Sequence, residues 1–219
     1  MLLLLALIPP FIAAAWFYKE DKHPEPIAHT IKAVLSGVLA CGFVLLLVGQ
    51  LIDPMIGQAF KNNALISSFV IAFFCAALPE EFLKFVFLRR YIISDECDEP
   101  YDLAFYGAMV SIGFAAIENV FYVYEGGIET AIIRAFTAVP MHAMCGAMIG
   151  YGLLQINRNT QKDRYFTWAS MKGALFIPVM FHGLYDWPLF VLQHEYSNGL
   201  LNLLSVIVWF GIIIYFVKR

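Results

Sequence analysis

The sequence predicts an all-α, polytopic membrane protein of about seven transmembrane helices, with the N-terminus outside and the C-terminus in the cytoplasm. Of its 219 residues, 61% are hydrophobic and only 14% charged, whereas soluble domains are nearer half apolar and a quarter charged. Mean hydropathy is +0.72. The apolar residues fall into runs long enough to cross a hydrocarbon core, which takes about 20 residues per helix. Seven such spans leave no room for a soluble domain, so residues 1–219 are expected to form a single transmembrane domain.

The spans read at 2–18, 31–52, 64–88, 103–124, 131–156, 171–192 and 199–217. The first carries small residues at Ala13-Ala14-Ala15 that would suit a signal-peptide cleavage site. No basic segment precedes it, and its first charge, Lys19, follows the run, so a retained helix is expected. Trp16 suits an interfacial position. The third span holds Glu80, Glu81 and Lys84; the fourth, Glu118; the fifth, His142; the sixth, His182 and Asp186. Asp95, Glu96, Asp98, Glu99 and Asp102 cluster between the third and fourth spans, where solvation accounts for them. Cys41, Cys75 and Cys145 fall inside apolar runs and Cys97 in a loop, a spacing that suggests neither a disulfide framework nor a cysteine zinc site.

The cations orient the chain. Lys19, Lys22, Lys32, Lys84, Arg89, Arg90, Arg158, Lys162, Arg164, Lys172, Lys218 and Arg219 fall on or beside the predicted cytoplasmic connections, against only Lys61 and Arg134 on the other side. That bias follows the positive-inside rule and requires an odd number of spans. No basic run suggests nucleic acid, and no internal repeat is visible.

Ionisable residues within a span are costly and by default mark function. Residues four apart share a helix face, and Glu80 with Lys84, Phe114 with Glu118, and His182 with Asp186 all have that spacing. Gly107, Ala108, Gly113, Ala115, Ala116, Ala143, Gly146, Ala147, Gly150 and Gly183 supply the small side chains that let membrane helices approach closely. Four helices converging their polar residues on one interior pocket is the simplest arrangement. Each residue also has a structural reading. Glu80 and Glu81 could be an acidic pair neutralised by Lys84. Glu118 and Asn119 could bond neighbouring helices, His142 could be a satisfied core histidine, and His182–Asp186 a local pair. Jointly these readings weaken, because so many carboxylates with so few counter-charges carry a desolvation cost that stability alone would avoid.

The inventory fits peptide-bond hydrolysis. A carboxylate can activate a water as general base. Two adjacent carboxylates resist joint ionisation and so can hold unlike proton affinities. A histidine or a protonated acid can donate to the oxyanion of a tetrahedral intermediate. Ser111 and Cys145 sit in no recognisable nucleophile motif, and the sequence contains no His-Glu-x-x-His signature.

Three ordered motifs carry a resemblance: Glu80-Glu81-Phe82-Leu83-Lys84, Phe114-Ala115-Ala116-Ile117-Glu118 and His182-Gly183-Leu184-Tyr185-Asp186. With them the chain resembles the PrsW family of intramembrane proteases, within the wider superfamily of CAAX prenyl endopeptidases and bacteriocin-processing enzymes. The likeness runs through almost the whole chain, including Phe17 to Pro26 and Asp98 to Asp102. The prenyl endopeptidase branch has histidine where Glu118 stands and usually asparagine where Asp186 stands, so the PrsW branch is the nearer one.

The resemblance implies a multi-pass protease of the bacterial cell membrane. It would make the first cut in a single-span, membrane-anchored anti-sigma factor, in or just outside the outer half of the span, and so release a stress-response sigma factor. Glu80 would be the general base, Glu81 would support it or position substrate, and Glu118 would share the water. His182 and Asp186 would stabilise the oxyanion. His142 joins the candidates on depth and spacing alone. No cofactor is required by this scheme. Alternatively, Glu118, His142 and His182, with or without Asp186, would ligate Zn²⁺, since catalytic zinc takes three protein ligands and a water. A proton- or cation-coupled transporter and a non-catalytic scaffold for single-span partners are the other readings of intramembrane acids and histidines. One difficulty stands against a single site. At 1.5 Å per residue, Glu80 falls about 12 Å and Glu118 about 24 Å from the cytoplasmic ends of their helices.

Overall fold

The structure is a computed structural model and describes residues 1–52, 63–93, 97, 99, 101–160 and 168–195. The predicted seventh span, with Trp209, lies outside the described residues. So do Lys61, Asp95, Glu96, Asp98, Lys162, Arg164, Lys218 and Arg219.

Every regular element among the described residues is helical: α1 (Leu2–Glu20), α2 (Ile27–Val44), α3 (Ala64–Val70), α4 (Leu78–Leu88), α5 (Asp102–Phe136), α6 (Ala138–Thr160) and α7 (Trp168–Glu195). Four helical stretches are long and apolar enough to cross a membrane: Leu2–Glu20, Ile27–Val48, Asp102–Gln155 and Met171–Val191. The third of these covers 54 residues and holds both α5 and most of α6. The protein is thus an all-helical, multi-pass membrane protein.

Local chemistry explains the breaks. α1 contains Pro9 and Pro10. Proline has no amide hydrogen, so Pro10 cannot serve the Ala6 carbonyl four residues back. The side-chain amide of Asn119 on α5 donates to that carbonyl instead, at 3.3 Å, as membrane helices require of freed backbone groups. α3 starts at Asn63, whose Oδ1 accepts from the Ile66 N–H at 3.1 Å. The helix then widens over Ile71–Ala77, where Leu78 N–H reaches back five residues to the Phe73 carbonyl. The widening ends at Pro79, which removes the next donor. From Ala64 to Leu88 the chain is nevertheless continuously helical, as the predicted 64–88 span requires.

α5 differs from the expectation of a span at 103–124 and another from 131. Gly127 adopts φ 70°, ψ −154°, a conformation glycine alone takes without penalty. Residues 128–136 therefore form a separate helical segment that turns back, with Ala131 packing beside Val123 and Ala6. Thr137 breaks the helix again (φ −122°, ψ −71°), and α6 starts at Ala138.

The chain divides into two compact units: Met1–Leu45 with Glu80–Pro178, and the described parts of Leu46–Pro79 and Val179–Arg219. In the first unit α5 is central and packs on α6, α2 and α1. The pairings are antiparallel: Gly107 meets Gly146 while Leu103 meets Gly150, and Val110 meets Gly37 while Val34 meets Gly113. A methyl group on Gly107 would lie 2.1 Å from the Gly146 carbonyl oxygen, so two backbones touch there as the small-residue pattern predicts. In the second unit, Trp187 Nε1 donates to the Leu65 carbonyl at 3.2 Å, and its ring meets Phe69 edge-on at 5.4 Å.

The connection between α1 and α2 is tied to the start of α5. The Tyr106 hydroxyl donates to Glu25, which is 4% exposed, and Tyr106 stacks on Tyr91 at 4.3 Å. Burial pushes the Glu25 carboxyl up to about 7 from its ordinary 4.5; the Tyr106 hydrogen bond opposes the rise, and the charges of Asp102 and Asp21 add to it. A carboxyl whose folded value is raised stabilises the fold when protonated. That contribution is full below about 4.5 and is lost as pH rises through about 7. The unfolding midpoint in lipid nanodiscs is therefore expected to fall between pH 5 and 8, and Glu25→Gln should flatten that slope. Parallel pH dependence in the two proteins would reject the assignment.

Candidate active site

The acidic pair of α4 and the histidine of α6 meet in the first unit. Lys84 is at the centre and is 1% exposed. Its Nζ lies 2.7 Å from Glu81 Oε1, 3.7 Å from Glu80 Oε2 and 2.9 Å from His142 Nδ1. It also sits 4.3 Å from the centroid of the Phe114 ring, an arrangement favourable for a cation. Spacing alone pairs Lys84 with Glu80 at i,i+4; the shorter contact is to Glu81 at i,i+3. Glu81 is fully buried and Glu80 is 7% exposed, and both carboxylates lie within ion-pair distance of this cation.

His142 carries the network onward. An ammonium can only donate, so Nδ1 accepts from Lys84 and Nε2 bears the ring hydrogen. Nε2 lies 2.7 Å from Glu118 Oε2. In the register set at Gly107 and Gly146, residue 111 rather than 118 stands opposite His142; the Glu118 and His142 side chains close that offset, each leaning toward the N-terminus of its own helix. The difference in depth that set Glu80 apart from Glu118 is spanned by the Lys84 side chain and the His142 ring. Phe114 packs 5.7 Å from that ring, centroid to centroid, so the Phe-x-x-x-Glu motif presents its aromatic group and its acid to the same histidine.

Arg134 supplies a second buried cation, and sequence reading missed it. Counted there on the side opposite the cytoplasm, at the start of the predicted 131–156 span, it is 9% exposed and reaches back to residues 118 and 119. Nη2 donates to Glu118 Oε2 at 2.8 Å and Nε to Asn119 Oδ1 at 2.6 Å. The signal that was available is an arginine inside an apolar run, Ala131 to Phe136. Glu80, Glu81 and Glu118 thus meet two buried cations in this unit, and Asn119 does bond neighbouring helices.

His182 and Asp186 lie on α7 in the second unit. His182 Nε2 is 3.1 Å from Asp186 Oδ2, and the histidine is 1% exposed. Gly183, between them, packs on Phe73 so closely that a methyl group there would lie 2.4 Å from the ring.

The first unit also offers metal donors. One ligand atom each from Glu80, Glu81 and His142 lie within 4.8 Å of one another. Two carboxylates and an imidazole match catalytic zinc in kind and number. The Lys84 ammonium lies against Glu81 Oε1 and His142 Nδ1, so a metal held by those atoms requires the lysine to swing aside. Glu118, from the ligand set the sequence suggested, has its Oε2 turned to Arg134 and to His142 Nε2.

A helical multi-pass protein with carboxylates, a lysine and a histidine joined in its buried interior has the makings of a hydrolase that works within the membrane. Comparison with known proteins gives the particular one. Residues 25–217 match the model of the PrsW family intramembrane metalloproteases, and the chain belongs to that family. It is 32% identical to Protease PrsW of Geobacillus kaustophilus over 212 residues, covering 95% of this chain and 88% of that one. It is 33% identical to Protease PrsW of Oceanobacillus iheyensis (97% and 93% covered) and 31% identical to that of Bacillus subtilis (94% and 90%). No solved structure matches the chain. Family membership makes it an intramembrane peptidase, and it favours that reading over a transporter or a scaffold.

Proposed function

We propose that this peptidase makes the first cut in a single-span, membrane-anchored anti-sigma factor, and that a glutamate activates the water. The observation that carries the catalytic part is the buried network Glu81–Lys84–His142–Glu118, with Glu80 beside the lysine. In this reading Glu80 takes a proton from water, the hydroxide adds to the scissile carbonyl carbon, and the C–N bond breaks as the amine leaves with that proton. Glu81 holds Lys84, and through it the position of Glu80. Glu118 shares the water and orients His142. His182 and Asp186 take the oxyanion-stabilising role. A metal, held by Glu80, Glu81 and His142, would supply a hydroxide at neutral pH; His182, Asp186 and Glu118 keep their roles in that case. The chain sits in the bacterial cell membrane with seven spans, its N-terminus outside and its C-terminus in the cytoplasm.

A peptide bond in a membrane helix is bonded internally, so the substrate must present a locally unwound stretch. The cut is expected within or just outside the outer half of the substrate's span, at small or helix-breaking residues. Mass spectrometry of new N-termini in membranes from cells making this chain or its Glu80→Gln variant locates it. Cuts deep in a cytoplasmic domain, or efficient cleavage of soluble unfolded proteins, overturn the proposal.

A further inference from the structure

Arg134 belongs to none of the three motifs, yet it grips the residue at which one of them ends. We propose that Arg134 is a positioning residue of the peptidase, fixing the Glu118 carboxylate against His142. The inference rests on the reading that Glu118 serves peptide hydrolysis.

Four observations carry it. First, the guanidinium uses two donors of its planar fork on consecutive residues of α5, Nη2 to Glu118 and Nε to Asn119. A fork held at two points fixes an orientation that a point charge cannot. Second, Glu118 Oε2 is shared: it lies 2.8 Å from Arg134 Nη2 and 2.7 Å from His142 Nε2. Any movement of the arginine therefore moves the acceptor that sets the imidazole. Third, Asn119 is held from its other side by the Ala6 carbonyl, so the platform the arginine grips is anchored to α1. Fourth, the Tyr122 ring covers the guanidinium, 4.2 Å from Cζ, and the turn at Gly127 is what brings residue 134 back alongside residues 118 and 119. Apart from Glu129 and Thr130 the rest of the segment that carries it is apolar, with Ile128, Ile132, Ile133 and Phe136 exposed and Arg134 turned inward.

The test uses the full chain in lipid nanodiscs and, as probe, the single-span membrane protein whose cut the mass spectrometry maps. Losing a hydrogen bond between charged groups corresponds to about a tenfold to hundredfold change. Arg134→Gln is expected to lower kcat by that factor with KM unchanged within about twofold. Arg134→Lys keeps the charge but not the fork and should recover part of kcat. Wild-type kcat in Arg134→Gln overturns the proposal. So does equal loss in both variants with a lowered unfolding midpoint, which would make Arg134 only a fastener for residues 128–136. Glu80→Gln run alongside separates the two levels: if it cleaves normally, the peptidase assignment of this site fails and the proposal fails with it. An inactive Glu80→Gln beside a fully active Arg134→Gln removes the proposal alone.

Discussion

Glu80→Gln is expected to lower the cleavage rate by at least about a hundredfold while the protein still inserts and folds. Glutamine keeps the size of the side chain and its capacity to hydrogen-bond, and it loses the basicity together with the negative charge. Glu80 lies 3.7 Å from the Lys84 ammonium, whereas Glu81 lies 2.7 Å from it. The amide at position 80 should therefore cost rate with little stability. The amide at 81 should cost both, because it removes the closer partner of a buried cation. His182→Ala is expected to inactivate as well. Turnover of the mapped substrate and the unfolding midpoint, measured on the same preparations, check the contrast. Near wild-type turnover in both Glu80→Gln and His182→Ala would show that the site is misassigned.

Lys84→Met should produce the largest loss of stability. Methionine keeps an unbranched stem and removes the ammonium, leaving Glu81 buried without its cation at 2.7 Å and His142 Nδ1 without its donor at 2.9 Å. Removing one partner of a buried ion pair costs about 3–5 kcal/mol. Denaturant unfolding in mixed micelles measures it. Adding Glu81→Gln to Lys84→Met should restore half or more of that loss, since two neutral side chains need no counter-ion. A Lys84→Met protein as stable as wild type, or a double variant no better than the single one, would contradict the placement of Lys84 between the acids and the histidine.

Much of this site was legible in the sequence, and the reasons differ by residue. Helix 64–88 was readable because most of its residues are apolar over a length that can span a membrane, despite Glu80, Glu81 and Lys84. Glu80, Glu81, Glu118 and His182 were readable because a carboxylate or an imidazole in hydrocarbon is expensive wherever it points. Which acid Lys84 favours was not readable, because i,i+3 and i,i+4 are both neighbours on a helix. His142 could be nominated by depth but not given partners, since those depend on the register of α5 against α6. That register is set by backbone contact at Gly107 and Gly146, which the small-residue pattern suggested without fixing the offset. Arg134 was misread for a related reason. A positive-inside count treats every cation as a surface charge, and only the reversal at Gly127 shows that this one turns inward.

The bond between Asn119 and the Ala6 carbonyl has a consequence in time. The two residues are 113 positions apart. At a synthesis rate of about 5–20 residues per second, α1 is complete for on the order of ten seconds before Asn119 has been made. During that interval Pro10 leaves the Ala6 carbonyl facing lipid, a state that costs several kcal/mol per group in hydrocarbon. The first helix therefore enters the bilayer with a reason to stay near the interface, where water can serve that carbonyl. It is expected to reach its final depth when α5 arrives and Asn119 takes over that carbonyl. Insertion and assembly are coupled for this helix, and a nascent chain stopped before residue 119 should hold α1 shallower than the finished protein does.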